Sequence, residues 1–590
     1  MRVNCFAGCV GSAFLLFAAL PNLANAQAYQ RIAPHQPPAQ PVPSLELPPS
    51  EPTPVNASNN VLVPALKGLV FLGSNQLLTP AGVPDSQVGV HQQGLPDSTA
   101  DFTNQMSGFL GKPVTLANLD QISRATQDWY RAHGQPFLYV SIPPQNITNG
   151  IVQVVVTQYR VGSVRVVGNR WFSAGLVERE SGLTRGQTLG LNAVRADMRW
   201  LNENSFRTVN AVFSPGAEQG VTAVTLETQD RLPLYVYGTY DNQGVSSLGR
   251  GEWGVGAVWG NAFGHDQTLS YQFTRSETGQ YNAHSVNWMA PLPWRDKLQV
   301  FGSYATERPS MNGGGGYFSQ TGHSGQASIR YVHNLPMLQL TPQLNFISDL
   351  QLGYDFKNSN NNLEFGGVSV FKQNADVDQF PIIFDVTEND ADGQTVFQNN
   401  LTLSPGGLTH ANSNVDFQKV VPGSCASYYV EQVGLTRTTF LPKNFSWISR
   451  VLVQVANHNL MYSEQLALGG MDSVRGYNSD TALGSEGVVT QNELRTPPVS
   501  LMRLVGFKSR VIPQDEEQMG MFFDYGHVSQ VRSIPNAVNE ADLSSAGLNL
   551  HTTLNRNVTL AWDLGWRLRN PPSGNGRGHA FGDVALTVGF

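Results

Sequence analysis

Between Asp230 and Phe590 apolar and polar residues alternate with a period of two. In QTLSYQFTR, Leu269, Tyr271 and Phe273 share one face, and Ser270, Gln272 and Thr274 the other. DKLQVFGSY sets Leu298, Val300 and Tyr304 against Gln299 and Ser303, and QASIRYVHN sets Ala327, Ile329 and Tyr331 against Gln326, Ser328 and Arg330. In NVTLAWDLGWRL, Val558, Leu560, Trp562, Leu564, Trp566 and Leu568 face one way, and Thr559, Asp563 and Arg567 the other. This period belongs to strands with one apolar face. A soluble sandwich alternates too, so strand length and face composition decide. These runs reach about 9–12 residues, beyond the ~5–6 common in soluble sheets and suited to tilted strands crossing a bilayer. Aromatics crowd the apolar faces as in interfacial girdles, while Arg330 and Arg567 sit on the polar faces, which suits a wet lumen. The pattern predicts a mainly β chain whose residues 231–590 form a transmembrane β-barrel. About 22 residues per strand corresponds to roughly sixteen strands. About seventeen candidates can be marked, one too many for an even-numbered barrel. The ambiguous region is 345–405, where NSNNN and ENDADG interrupt short apolar runs. The last strand, GDVALTVGF, puts Val584, Leu586, Val588 and Phe590 on one face. A terminal aromatic there suits a last strand that zips to the first.

Upstream the period changes and the chain repeats itself. Leu69-Val70-Phe71-Leu72-Gly73 parallels Val164-Arg165-Val166-Val167-Gly168, each a short strand ending in glycine. GKPVTLANLDQISRATQDWYRAHG parallels RGQTLGLNAVRADMRWLNENS. Leu119, Ile122 and Trp129 share a helix face in the first; Leu191, Val194, Met198 and Leu201 do in the second. Gly134 and Pro136 stop the first helix. FLYVSIPP then matches RTVNAVFSP, and GIVQVVV matches GVTAVTL. Strand, helices, strand, strand occurs twice, at roughly 80 residues a copy. Residues 61–160 and 161–230 are thus expected to be two small α/β domains from one duplication.

The N-terminus carries a positive charge at Arg2, an apolar run from Val10 to Leu20, and Ala24-Asn25-Ala26 as a small-x-small cleavage site. That is the pattern of a secretory signal peptide over 1–26, with the mature chain starting at Gln27. Residues 27–60 are proline-rich and read as an extended linker. Charged residues are only 14% of the 590, and the net charge is -7 without a long basic block, which excludes a nucleic-acid partner. Of three cysteines, Cys5 and Cys9 leave with the signal peptide, so Cys425 has no intrachain disulfide partner. No segment is apolar over the ~18 residues a membrane helix needs. An exported chain then either stays soluble or crosses a membrane as a closed barrel.

Catalytic signatures are missing: no G-x-S-x-G, H-E-x-x-H, C-x-x-C or complete phosphate loop occurs. Gly111-Lys112 is followed by Pro113 and lacks the upstream glycine spacing. NGGGGYF (312–318) reads as a surface loop. No enzyme, metal or cofactor is expected. One polar residue stands out. GGMDSVRGYNSD places Arg475 among turn-forming residues, within Val474-Arg475-Gly476-Tyr477. In MFFDYGHV, Phe522, Asp524 and Gly526 share one strand face, opposite Phe523 and Tyr525. If the latter face lipid, Asp524 faces the lumen and is a candidate partner for Arg475, since an Arg–carboxylate pair fixes geometry well. The alternative is a solvated external loop for Arg475 and ordinary lumenal water for Asp524.

Exported tandem repeats, VRGY (474–477), F-x-D-x-G (522–526) and terminal Phe590 together resemble the two-partner-secretion transporters, the haemolysin secretion/activation (ShlB/FhaC/HecB) family, from about 61 to 590. The resemblance implies two periplasmic polypeptide-transport-associated (POTRA) domains and a sixteen-stranded barrel in the outer membrane of a Gram-negative bacterium. It also implies an inward loop whose Arg475 contacts Asp524. The implied partners are a large secreted exoprotein with a dedicated secretion domain, outer-membrane lipid, and the barrel assembly machinery for the chain's own insertion. Family members can carry an N-terminal plug helix. Here only QAYQRIAPHQ precedes the prolines, too short for a stable helix across the lumen, so no plug is expected. The rival readings are an outer-membrane insertase of the same superfamily, a diffusion porin or receptor, and a soluble exported β-rich enzyme or adhesin.

Overall fold

A computed structural model describes residues 27–38, 40, 58–95, 100–216, 218, 220–308, 318–341, 343–365, 368–504, 515–555, 557–572 and 574–590. The expected signal peptide and the NGGGGYF loop as far as residue 317 lie outside the described residues. The chain divides into two units: the N-terminal segment with Pro233–Phe590, and Gln40–Leu232.

The first element corrects the sequence reading. The expected linker opens with a helix, α1 (Gln27–Ile32). Six residues do not hold a helix in water, and α1 is held by packing instead. Tyr29 and Ile32 are buried, the Tyr29 ring lies 4.7 Å from that of Phe301, and Ile32 packs with Ala283 and Ala305. Residues 41–57, the rest of the proline-rich stretch, are outside the described residues.

The second unit holds two related folds. The first contains β1 (Gly68–Leu72), β2 (Gly89–Gln93), α2 (Ala100–Ser107), α3 (Leu116–Ala132), β3 (Leu138–Ser141) and β4 (Ile151–Gln158), with sheet order β2-β1-β4-β3. The second contains β5 (Arg160–Val167), α4 (Ala174–Ser181), α5 (Leu191–Leu201), β6 (Arg207–Pro215) and β7 (Val221–Asp230), ordered β5-β7-β6. β1 runs parallel to β4, and β3 antiparallel to it. β5 and β6 stand in the same relation to β7. The folds differ by one parallel edge strand, β2. Local sequence explains the helix ends: the Thr115 and Ser173 hydroxyls accept from Asn118 and Leu176 backbone N–H groups as N-caps. Ile122 and Trp129 of α3 are buried with Leu69, Phe71 and Val154. Val194, Met198 and Leu201 are the buried stripe of α5.

The barrel begins with β8 (Leu234–Asp241), β9 (Glu252–Ala262), β10 (Gln267–Ser276), β11 (Tyr281–Pro291), β12 (Lys297–Glu307) and β13 (Phe318–Asn334). Then come a two-residue β14 (Leu338–Gln339), β15 (Asn345–Phe365), β16 (Val368–Asn389), β17 (Gly393–Ser404), α6 (Asn414–Val420), β18 (Tyr428–Phe440) and β19 (Ser446–Ala456). A small hairpin, β20 (Leu466–Leu468) and β21 (Ala482–Gly484), precedes β22 (Glu486–Arg495) and α7 (Leu501–Leu504). The chain ends with β23 (Asp515–Ser529), β24 (Glu540–Leu554), β25 (Val558–Arg567) and β26 (Ala580–Gly589). Among the described residues sixteen strands, not about seventeen, form a closed antiparallel wall, with β26 paired to β8. β14 pairs only with the end of β15.

The alternation sorts side chains as expected for lipid outside and a filled lumen inside. On β23, Phe522, Asp524 and Gly526 point inward and are buried, whereas Phe523 points outward and is 49% exposed. Tyr271, Ile329, Trp562 and Trp566 are outward and exposed, whereas Arg330 is buried inside, 2.7 Å from Asp355. The 345–405 region needs correction. NSNNN (358–362) lies within β15, a strand of 21 residues, and ENDADG spans the end of β16, its turn and the start of β17. These strands outrun the bilayer, so a polar stretch can continue the ladder beyond lipid.

Candidate functional site

The chain between β19 and β22, residues 457–485, folds back into the lumen. Its hairpin pairs Leu466 with Gly484 and Leu468 with Ala482. Gly469, Gly470 and Gly476 adopt positive φ (108°, 88° and 86°), which lets the tip turn tightly and brings the Gly470 N–H to the Tyr477 carbonyl. Val474 and Tyr477 are buried with Leu466, Leu468, Val489, Val528 and Leu543, so the loop sits on the inner faces of β22, β23 and β24.

The hairpin carries Arg475 to Asp524. Nε and Nη2 of the arginine donate to the two carboxylate oxygens at 2.8 and 2.9 Å, and the Arg475 backbone N–H adds a third bond of 3.1 Å. Asp524 is fully buried and Arg475 is 5% exposed. Nη1 meets a second carboxylate, Glu493 of β22, at 2.6 Å. The guanidinium lies 3.8 Å from the centre of the Phe522 ring. Within F-x-D-x-G, then, the phenylalanine stacks on the arginine and the aspartate grips it. The glycine leaves room: a Cβ at Gly526 would fall 2.6 Å from Leu468 and 2.9 Å from Val474.

The rest of VRGY meets β25. Gly476 and Gly565 are in backbone contact, and a Cβ on Gly565 would lie 2.7 Å from Gly476 Cα. Arg567 Nε donates to the Gly476 carbonyl at 2.7 Å. The Tyr477 hydroxyl is 2.9 Å from the Ser544 carbonyl and 2.8 Å from that of Arg569. Gln243, after β8, accepts from Met471 N–H at 3.0 Å and donates to Asp583 at 2.8 Å. Nearer the start of the loop, Lys357 of β15 pairs with Glu464 at 2.7 Å, and both are buried.

Beside this loop the N-terminal segment occupies the lumen. Arg31 pairs with Glu252 of β9 at 3.1 Å and approaches Asp480 of the loop at 3.7 Å. The Tyr29 hydroxyl donates to the Val286 carbonyl, the Ser285 hydroxyl to the Ile32 carbonyl, and the His35 backbone N–H to the Tyr237 hydroxyl. Phe590 extends the β26–β8 ladder by exchanging two backbone bonds with Val236, and its side chain is 78% exposed.

Sequence reading missed Glu493, Gly565, Arg567, Gln243 and the Lys357–Glu464 pair. Gly565 had a signal, because an inward glycine between Asp563 and Arg567 in an alternating strand marks a close approach. Lys357 and Glu464 had none. Of groups able to ligate a metal, His527, Glu540 and Asp542 converge among the described residues. Asp542 is already engaged by Tyr525 and by Arg569 at 3.2 Å.

The sequence profile described as "Haemolysin secretion/activation protein ShlB/FhaC/HecB" matches residues 220–552, and "POTRA domain, ShlB-type" matches 89–158. The chain belongs to the ShlB/FhaC/HecB family. Similar to it are "Heme/hemopexin transporter protein HuxB" of Haemophilus influenzae (strain 86-028NP) and "Outer membrane transporter CdiB" of Dickeya dadantii (strain 3937). The first is 24% identical over 77% of this chain and 78% of that protein; the second is 23% identical over 67% and 69%. Among solved structures, CdiB from Escherichia coli superposes with a TM-score of 0.69 at 18% identity, covering 92% of this chain and 94% of that one. CdiB from Acinetobacter baumannii gives 0.59 at 15%, covering 96% of each. The protein is an outer-membrane β-barrel with POTRA-type domains in the periplasm, in a family of transporters that serve a secreted exoprotein partner. The barrel end where β8 begins is therefore periplasmic, and the 457–485 loop enters from the extracellular end.

Proposed function

We propose that this chain is a protein-conducting pore that captures one unfolded exoprotein in the periplasm and passes it through the barrel, with no catalytic step of its own. The observation that carries this reading is the family match over 220–552 together with a ShlB-type POTRA match upstream. Residues 1–26 act as the export signal. Residues 61–160 and 161–230 are the POTRA-type domains, which take the exoprotein's secretion domain as an added strand at a sheet edge, where backbone bonds supply affinity and side-chain pockets choice. The outward aromatic faces seat 231–590 in outer-membrane lipid after insertion by the barrel assembly machinery.

Within the pore, Val474, Arg475, Gly476 and Tyr477 form a latch whose receptor is Phe522, Asp524 and Gly526, with Glu493 as second carboxylate. The latch holds the inward loop against the β22–β25 wall, leaving passage on the side now filled by residues 27–38. That segment must vacate the lumen for transport. Phe590 closes the seam between the last and first strands. Export draws on folding outside, which prevents return; no nucleotide is needed.

The test is a deletion of the gene, with proteomics of both medium and outer membrane. Loss of a single large secreted protein, with other barrels unchanged, is expected. A general fall in outer-membrane barrels overturns the reading in favour of an insertase.

A further inference from the structure

Three consecutive wall strands are longer than the strands that flank them. β13, β15 and β16 have 17, 21 and 22 residues, against 11 in β12 and 12 in β17. About 9–11 tilted residues cross a bilayer, so up to half of each strand stands outside it. The register fixes which half. β16 pairs with β17 only from Phe380 to Asn389, yet with β15 up to Val368, opposite Phe365. β13 follows β15 to the same height, pairing Phe318 with Phe365. On the β17 side the wall thus rises above its neighbour at the extracellular mouth, by about 40 Å if the dozen residues of β16 run straight at ~3.3 Å each, while on the other side β12 accompanies β13 as far as Glu307, opposite Gly322.

One side of that rise is open beyond Ala375, which is itself buried with Phe417 of α6 and with Val421. The loop after β17 reaches it at Asp376, whose N–H donates to the Ala411 carbonyl and whose carbonyl accepts from the Asn412 side chain. From Val368 to Ala375, no backbone bond is made on that side among the described residues. The Asp376 bonds also set the phase. Its N–H and C=O both point away from β15, and antiparallel strands alternate such residues. Lys372 and Asn374 therefore present their N–H and C=O groups to the free edge, while Gln373 and Ala375 bond to β15. Native proteins blunt exposed edges because an unpaired row of donors and acceptors recruits another strand. Here the row stands at the mouth of a pore that delivers extended polypeptide.

We propose that the free edge Val368–Asn374 is a docking strand for the exoprotein emerging from the pore, which adds its first extracellular β-strand there. The inference rests on the transport reading above and assigns the exit end a site of its own. The occupant is an extended, unfolded chain, recognised through its backbone. A local template spares the emerging chain the slow search for a first strand pairing, since non-local pairing has to meet loop-closure entropy first.

The experiment uses the full-length protein in its own outer membrane. The probe is its tagged secreted partner, halted in the pore by a disulfide-closed domain fused to the partner's C-terminus. A photo-crosslinking residue at Asn374 is expected to capture the halted partner; one at Asn287, on the lumenal face of β11, reports transit alone. Lys372→Pro and Asn374→Pro each remove an edge N–H without breaking the β15 ladder. They are expected to leave the amount exported unchanged and to slow the partner's gain of protease resistance several-fold. Gln373→Pro, which breaks the ladder, shows what unfolding of the rise does. If the partner crosslinks at Asn287 but never at Asn374, or the edge prolines leave its folding rate untouched, the docking strand is refuted. Capture of only a second copy of this chain at Asn374 also refutes it. If the partner never enters the pore, the transport reading itself has failed. Should a proline variant not reach the membrane, the Asn374 crosslink, made on an intact backbone, decides.

Discussion

Arg475 gathers two carboxylates and an aromatic face at one buried point, and this sets what each substitution does. Removing one member of a buried charged cluster strands the others, at a cost of ~3–5 kcal/mol. Arg475→Ala leaves Asp524 and Glu493 facing each other in the lumen. Barrel abundance stays normal, export falls, and the 469–481 tip becomes cleavable by protease added to intact cells. Arg475→Lys does not rescue export, because an ammonium lacks the fork that spans both Asp524 oxygens. The glycines give a sharper test, being steric. A Cβ at Gly565 meets backbone at 2.7 Å, while one at Gly582 finds nothing nearer than 3.6 Å. Gly565→Ala should therefore lift the latch, at about 1–3 kcal/mol for an overpacked site, and lower export, whereas Gly582→Ala exports normally. Asp524 was legible because Phe523 and Tyr525 mark the lipid side of its strand. Glu493 was not, since one inward carboxylate on a polar strand face names no partner until the register places it opposite Phe522.

The elements show why length and periodicity succeed in some places and fail in others. Alternation located the wall strands because lipid imposes it on every outward face. It missed NSNNN inside β15, because beyond the bilayer that constraint is gone and only backbone pairing remains. Propensity misjudged α1 for the opposite reason, since its partners lie more than two hundred residues away. Arg31 binds Glu252 and Tyr29 stacks on Phe301, so tertiary contact supplies what six residues lack. The consequence is measurable: Arg31→Ala frees α1, and planar-bilayer recordings should show larger or more frequent openings than the unmodified protein gives. The Lys357–Glu464 pair joins the other limb of the inward loop to β15. Lys357→Glu alone sets two carboxylates together and should reduce export. The double reversal with Glu464→Lys restores it if the pair acts through charge, and does not if Lys357 matters only for its packing.

At the scale of the whole molecule the question is where a client leaves. A conduit passes its client along the axis and can keep its wall shut. An insertase hands its client sideways into lipid, so its first and last strands must part. In this protein that seam is short, with β26 pairing with β8 from Ala585, opposite Asp241, to Gly589, opposite Tyr237, Phe590 adding one more pair of bonds at one end and Asn242 bonding Val584 and Gly582 at the other. Weak closure could be mistaken for a gate. Thr239 and Thr587 are directly opposed across it, and such antiparallel pairs have Cα atoms about 4.5–5.5 Å apart, within the ~4.4–6.8 Å a disulfide spans. Thr239→Cys with Thr587→Cys should therefore oxidise to a sealed barrel. Export of the secreted partner is expected to continue at the unmodified rate, with or without reductant. Export that stops on oxidation and returns on reduction would mean that the wall opens in each cycle, which an axial path through the lumen does not require.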